Sequence, residues 1–324
     1  MPTVPSPARI STSRAVIGAL YMALADDTGE DWVGRVAPEI FDSDSELETY
    51  AWLNEIPGLR EWIGGRQAVG LSEQGFSIRN KKYEGTLEIP VDWLRRDKTR
   101  QILARIREQA EAAQSHWAEL LSALIAAGEN TACYDGQYFF DTDHPGPLDA
   151  TGGQTGSQSN DISVDVTTPT APTTVEMSAA IISGIKAMLK LRTERGRYLN
   201  AGARRFLVYT PIDLMESVAG ALGAQVIADT VSRTNQLLTL GTLGGFQIDM
   251  AIDPRSDWTT KFAVFRGDGM NKSLLRQEEV GVQTKAQAEG SQIEFDRDAH
   301  LYGINCTRAV GFGRWQHACL VTLS

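Results

Sequence analysis

The chain has 324 residues, 42% hydrophobic and 22% charged, which is ordinary for a folded protein of about two domains and excludes disorder throughout. Lys and Arg number 31 against 41 Asp and Glu, so the net charge of −10 disfavours sequence-specific DNA or RNA binding and tight binding to an anionic membrane. The three cysteines, Cys133, Cys306 and Cys319, form no C-x-x-C pair and so indicate neither a disulfide framework nor a thiolate zinc site.

Residues 1–56 read as an extended arm that Pro2, Pro5 and Pro7 open. Arg9 and Arg14 before the apolar run 15–25 imitate a secretion signal ending in an A-x-A pattern. Ile17, Leu20, Tyr21 and Leu24, at i, i+3, i+4 and i+7 behind Ser13, favour an amphipathic helix instead. No run reaches the ~20 apolar residues that cross a bilayer, so no membrane partner is expected. The acidic run Asp42, Asp44, Glu46 and Glu48 follows, and such a run is ordinarily a solvated segment.

In residues 57–92, Phe76 and Ile78 alternate with polar residues, and Tyr83, Leu87, Ile89 and Val91 do so beyond Arg79-Asn80-Lys81-Lys82. Alternation on both sides of a polar turn predicts a β-hairpin with a basic tip. Gly64, Gly65, Gly70, Gly75 and Gly85 leave it little side-chain mass, and an isolated hairpin is marginal in water, so it needs a neighbouring surface.

From 98 to 127 the pattern turns helical: Ile102, Ile106, Ala110, Ala113, Trp117, Leu120, Leu121 and Leu124 recur every three or four residues. Asp97 can cap the start and Gly128 the end, giving a rod of about 45 Å that needs support along its length. Residues 149–172, rich in Gly, Ser, Thr and Asn, read as a long loop. Thr173 and Glu176 fit a capping box opening a helix to about Arg195. Phe206-Leu207-Val208-Tyr209 reads as a buried strand and Thr210-Pro211 as a helix start. Phe246 to Ile252 and Phe262 to Phe265 read as further strands, making 173–275 an α+β region. The tail 276–324 is strand-rich, with Val280, Val282, Ile293 and Phe295 alternating.

The patch most like an enzyme is Asp135, Asp141, Asp143 and His144. Carboxylates beside an imidazole can hold a divalent metal or relay protons, so a metal-dependent hydrolase using Asp141, Asp143 and His144 is one reading. The spacing matches no calcium-loop or zinc-hydrolase pattern, and His144-Pro145 suits a rigid turn. Gly267 to Ser273 fails as a phosphate loop because Asn271 stands where glycine must precede the lysine, and Gly267-Asp268-Gly269 is expected to be a hairpin turn. The glycines Gly241, Gly244 and Gly245 lack dinucleotide spacing, and no G-x-S-x-G elbow occurs. His116, His300, His317 and Cys133 are expected to be structural. No catalytic residue, cofactor or metal site is expected.

Three segments together resemble the major head subunit of Mu-like phages, the gpT family. The first runs from Glu48 to Leu53 with Pro57-Gly58-Leu59-Arg60-Glu61-Trp62-Ile63-Gly64. The second runs from Phe76 to Glu84 through the long helix to Cys133-Tyr134-Asp135-Gly136 and Phe140-Asp141-Thr142-Asp143-His144-Pro145. The third is Val310-Gly311-Phe312-Gly313-Arg314-Trp315-Gln316. The first 45 residues and 150–290 match less clearly.

The resemblance implies an α+β Hong Kong 97-type capsid fold and no enzyme. Its parts would be an N-terminal arm (1–56), an extended hairpin loop (57–92), a peripheral domain (93–172) with spine helix 98–127, an axial domain (173–275), and a return to the peripheral domain with C-terminal strands (276–324). It implies a homo-oligomer of hexamers and pentamers forming an icosahedral head around double-stranded DNA, which it encloses without sequence-specific binding. Portal and scaffold proteins would be partners, with a decoration protein as a further one, in the virion and, during assembly, in the host cytoplasm. No removable leader is evident, so a separate scaffold is expected, and no acceptor can be named for a cross-link from Lys81 or Lys82. Arg79, Lys81 and Lys82 are expected to meet opposite charges on adjacent subunits, as are Asp42, Asp44, Glu46 and Glu48. Deleting 66–88 is expected to leave a soluble protein without closed shells. A cellular nanocompartment shell of the same fold is the alternative.

Overall fold

The structure, a computed structural model, describes residues 16–20, 24, 30–50, 76–96, 101–149, 153–224, 226–228 and 232–324. In chain order its strands are β1 (Ile40–Asp42), β2 (Leu47–Tyr50), β3 (Phe76–Arg79), β4 (Lys81–Pro90), β5 (His144–Pro145), β6 (Ser157–Gln158), β7 (Asp161–Val164) and β8 (Arg205–Pro211). Then come β9 (Val226–Ala228), β10 (Ser232–Thr234), β11 (Gln247–Asp253), β12 (Lys261–Arg266), β13 (Leu274–Gln287), β14 (Ala299–Phe312) and β15 (Ala318–Leu323). Two mixed sheets dominate: five strands in the order β11-β8-β12-β15-β7, and four in the order β1-β13-β14-β4.

The five-stranded sheet is covered on both faces, which is why its central strands β8, β12 and β15 read as nearly unbroken apolar runs, while β11 at its edge alternates. Phe206, Val208, Phe262, Val264, Cys319 and Val321 face the helix Thr174–Lys190, whose Met177, Ile181, Ile185 and Met188 are buried against them. Leu207, Tyr209, Ala263, Phe265 and Leu320 face the other way, into a core with Trp32, Val33 and Val36 of the helix Asp31–Val36. Arg255 fastens that short helix to the sheet by bonding Asp253 at 3.1 Å and Glu30 at 2.5 Å.

The 26-residue helix Gln101–Ala126 joins the two sheets because its buried side chains belong to different cores. Ile102, Ile106 and Ala110 pack with Ile89 of β4 and Tyr302 of β14, while Ala118, Leu121 and Ile125 pack beneath the five-stranded sheet. The rod ends at Ala126, and Gly128 lies in the 3-10 turn Ala127–Glu129 that follows, where a Cβ would lie 2.7 Å from the Phe140 ring. The arm helix is described at 16–20 and 24, where Val16 and Leu20 are buried and Ile17 and Leu24 half-buried against the helix's first turns, as its spacing predicts; Tyr21 lies outside the described residues.

The expected hairpin at 76–91 does not form. Strand β3 pairs with β2 of the arm, from Leu47↔Arg79 to Tyr50↔Phe76, and β4 pairs with β14 along its whole length, from Ala299↔Pro90 to Arg308↔Lys81. Alternation reported a buried face correctly and could not report the partner. The residue between them, Asn80, is buried rather than at a tip, donating to Ser43 Oγ and the Ser45 carbonyl at 2.9 Å each. It also accepts from Gln277 Nε2 at 2.9 Å, while Gln277 Oε1 accepts from the Tyr50 hydroxyl at 2.7 Å. Burial, with Glu48 nearby, pushes Tyr50 up to about 12.

Four other expectations are corrected. Residues 149–172 are not one loop: β6 pairs with β5, and β7 joins the edge of the five-stranded sheet beside β15. The five-stranded sheet thus draws on separate chain segments, β7 before residue 173 and β15 after the β13–β14 pair of the four-stranded sheet. Ile293 and Phe295 lie on a short helix, Gln292–Arg297, because Ser291 accepts from the Glu294 N–H as an N-cap. The turn at Gly267-Asp268-Gly269 links β12 to β13 in different sheets, so it closes no hairpin. The capping box at Thr173 and Glu176 is present, though its helix ends at Lys190 rather than near Arg195.

Candidate functional site

Of the charged residues expected at subunit contacts, Asp42 and Lys81 lie on the two edge strands of the four-stranded sheet, in one row through Glu278 and Arg308, while Glu48 and Arg79 lie on the β2–β3 pair. Asp42 ends β1, exposed, in register with Glu278. Asp44 is exposed, and Glu48 accepts from the side chains of Ser45 and Ser43, which hold its carboxyl below the usual range. Arg79 donates through Nε to Glu46 at 2.8 Å, so these two opposite charges meet within one chain, across the β2–β3 pair. Lys81 and Lys82 are exposed on β4, opposite Arg308 and Thr307.

The trio Asp141, Asp143 and His144 is not brought together as a metal or proton-relay set. Asp141 accepts the N–H groups of Tyr138, Thr142 and Asp143, which makes it the organiser of a turn, and Asp143 is exposed. His144 points elsewhere, its Nδ1 2.8 Å from Asp135 and its Nε2 3.2 Å from Asn160 Oδ1. Among the described residues, the three possible ligands that do converge, within 4.8 Å, are Cys133, Asp135 and His144. Their polar atoms already satisfy one another, because the Cys133 thiol donates to Asp135 at 2.9 Å and the other carboxylate oxygen faces the imidazole. Burial and the adjoining Asp135 push the thiol up, which is the wrong direction for a nucleophile. Burial also pushes Asp135 up, but the hydrogen bonds from His144, Cys133 and Gln137 outweigh it and hold the carboxyl below its ordinary value.

This cluster does structural work. The His144 ring is fully buried and stacks on Trp315, and Asn160 donates to the Phe139 carbonyl at 2.8 Å and the Trp315 carbonyl at 3.3 Å. A matching joint lies at Asn200, which donates to the carbonyls of Met188 and Gln316 and accepts from His317 Nδ1 at 2.8 Å. Each joint follows a long helix and a glycine turn of the same form. Cys133 N–H bonds the Gln137 carbonyl and Gly136 N–H that of Cys133, just as Thr193 bonds Arg197 and Gly196 bonds Thr193. Both glycines have positive φ, 87° and 76°. Asn80, Asn160, Asn200 and Gln277 were not singled out from the sequence; a buried amide differs from a loop amide only in its surroundings, so no pattern marked them.

Residues 21–172 match the family described as Mu-like prophage major head subunit gpT. Over 127 residues the chain is 42% identical to the Mu-like prophage FluMu major head subunit of Haemophilus influenzae, covering 39% of this chain and 41% of that one. Over 106 residues it is 36% identical to the major capsid protein of Escherichia phage Mu, covering 33% and 35%. The matched stretch thus spans less than half the length of these relatives. The fold likeness reaches further: the procapsid subunit of bacteriophage JBD30 covers 98% of this chain and 76% of its own, at 24% identity and a TM-score of 0.57. Through residues 21–172 the chain is similar to the Mu-like prophage major head subunit gpT family, and over nearly its whole length its fold is of the phage-capsid type.

Proposed function

We propose that this chain is a major capsid protein, a structural subunit that assembles into the closed head of a tailed phage. The observation that carries the reading is the family's sequence in residues 21–172, laid on a fold of the capsid type over nearly the whole chain. In this reading the four-stranded sheet with the helix Gln101–Ala126 is the peripheral domain and its spine, and the five-stranded sheet is the axial domain. Hexamers and pentamers tile an icosahedral shell, and the acidic chain encloses double-stranded DNA without reading it. Portal, scaffold and decoration proteins are its partners. Asp42, Asp44, Glu48, Lys81 and Lys82 remain candidates for contacts between copies, with apolar contacts dominating because exposed ion pairs contribute only about 0–1 kcal/mol each.

The test is negative-stain microscopy of the purified chain, expressed alone and with the head genes that flank it. Uniform closed shells are expected. Monomers or small oligomers under both conditions overturn the reading, and gene neighbours encoding a portal or terminase separate a phage head from a nanocompartment shell of the same fold.

A further inference from the structure

At one end of the four-stranded sheet the start of one short helix meets the end of another, and each carries a large aromatic ring out into solvent. Trp93, on the helix Val91–Arg96, is 62% exposed, and Phe295, on the helix Gln292–Arg297, is 87% exposed. They share a location because β4 runs directly into the first helix while the second caps the turn between β13 and β14, with Pro90 in register with Ala299. The Val91 N–H donates to the Asp298 carbonyl at 2.9 Å, and Arg297 approaches Glu88 at 3.8 Å.

The helices that carry the rings are fixed in place. Helices of six residues are not stable alone, so these exist only because tertiary contacts fix them. Leu94 reaches down into the core beside Ile89 and Tyr302. Ser291 caps the second helix, and Gly290 N–H bonds Glu294 at 2.8 Å. Asp298, which ends it, is the one non-glycine residue with positive φ among the described residues, at 49°. A left-handed residue kept at the joint between two aromatic-bearing helices is strain that the surrounding structure maintains, a pattern found at contact sites.

We propose that Trp93 and Phe295 form an apolar anchor by which one copy of this chain docks on a second copy. The flanking charges favour that occupant. Glu88, Asp92 and Asp296 alternate with Arg96 and Arg297 in the same small area, and Asp92 and Arg96 stand 3.5 Å apart. A surface of both signs around an aromatic centre complements itself, whereas a nucleic acid asks for one sign and a bilayer for a broader apolar face. Aromatic side chains ringed by charge, on helices already fixed in place, are the composition of an interface centre, since little backbone entropy is lost when they are covered.

The inference rests on the capsid reading and is separable from it. Wild type, W93S, F295S, the double variant and the conservative F295L are purified and compared by negative-stain microscopy and sedimentation, with circular dichroism to follow the fold. Wild type and F295L are expected to give shells. The double variant, folded and soluble, is expected to give at least tenfold fewer, leaving free subunits or small rings. Shells at wild-type yield from the folded double variant overturn the anchor, including the case in which they form but no longer bind another head protein, which assigns the patch to that protein. A misfolded double variant passes the decision to the two single substitutions, by the same criteria. If wild type forms no shells either alone or co-expressed with a scaffold, the capsid reading has failed rather than the anchor alone.

Discussion

The imidazole of His144 lies flat against the indole of Trp315, ring centroids 3.7 Å apart and planes 6° from parallel. Together with the Asn160 bonds to the Phe139 and Trp315 carbonyls, this contact holds the turn after the long helix to the crossing between β14 and β15. Replacing His144 with Leu keeps an apolar body over the indole and removes the partner of the nearly buried Asp135. That loss is expected to cost about 3 kcal/mol, the order seen when a buried polar partner is deleted. Denaturant unfolding of the unassembled subunit measures it, and a change below about 1 kcal/mol would show that Asp135 finds water instead.

His317 predicts an acid limb. Burial first, then Arg266, Arg314 and Lys272, lower its folded value to about 3 from 6.5. Between those values the unfolded chain binds a proton that the folded one refuses. Its contribution is therefore complete above about pH 6.5 and declines as pH falls toward 3, at up to about 1.4 kcal/mol per pH unit. Asp135, whose folded value lies below its ordinary 3.8, loses its own contribution as pH falls below that ordinary value and its carboxylate protonates. Stability of wild type and His317→Gln, measured from pH 7 to 4, should show a flatter slope in the variant.

Gly313 marks the point where the chain leaves one sheet for the other. Its N–H bonds the Ser273 carbonyl at 2.7 Å, and a Cβ would come within 2.3 Å of the Lys272 carbonyl oxygen. The obstacle is backbone, which cannot swing aside as a side-chain tip can. Gly313→Ala is expected to destabilise by about 1–3 kcal/mol through overpacking, read as a lower denaturation midpoint. At Gly311 a new Cβ would meet the Cδ1 of Ile78, a movable end, so Gly311→Ala should be the milder change.

Glu46 and Arg79 are both more than two-thirds exposed, so their pair contributes little to one subunit. A double-mutant cycle with E46A and R79A is expected to give a coupling under about 1 kcal/mol, shrinking with salt. By contrast, K81E with K82E is expected to leave subunit stability within about 0.5 kcal/mol, as surface changes do, while lowering shell yield in a salt-dependent way. Unchanged yield at low salt would remove these lysines from the contact.

Residues 66–88 include β3 and nearly all of β4, so that deletion would take away a full edge of the four-stranded sheet and expose Ile89 and Tyr302. A linker replacing 54–72 spares both strands. It is expected to give a folded subunit with native circular dichroism that builds no closed shells; abundant normal shells would dismiss that segment as an assembly element.

What the sequence made legible follows from what side-chain periodicity encodes. The long helix was readable because a 3.6-residue repeat persists over 26 residues, and β8 and β12 because strands covered on both faces are apolar throughout. The partner of β4 was not readable, because pairing is made by backbone groups and leaves the same alternation whichever strand supplies them. Ile293 and Phe295 misled because two apolar residues one apart fit a strand and a single helical turn alike. The metal trio failed for a related reason: adjacency in sequence put Asp141 and Asp143 near His144, while the fold turned the ring toward Asp135 and Asn160, 9 and 16 positions away.

The interleaving of the two sheets bears on how such a chain can diverge. Family sequence is confined to 21–172, yet the fold likeness covers 98% of the chain. The strand seams between the halves are β1 on β13, β4 on β14 and β7 on β15, and main-chain ladders tolerate almost any side chain that fits the pleat. The C-terminal half can therefore accumulate substitutions without losing its docking partners, provided strand lengths and the Gly313 crossing are kept. Chimeras joining residues 1–172 to a distant relative's C-terminal half should fold when those lengths agree, however little the residues do.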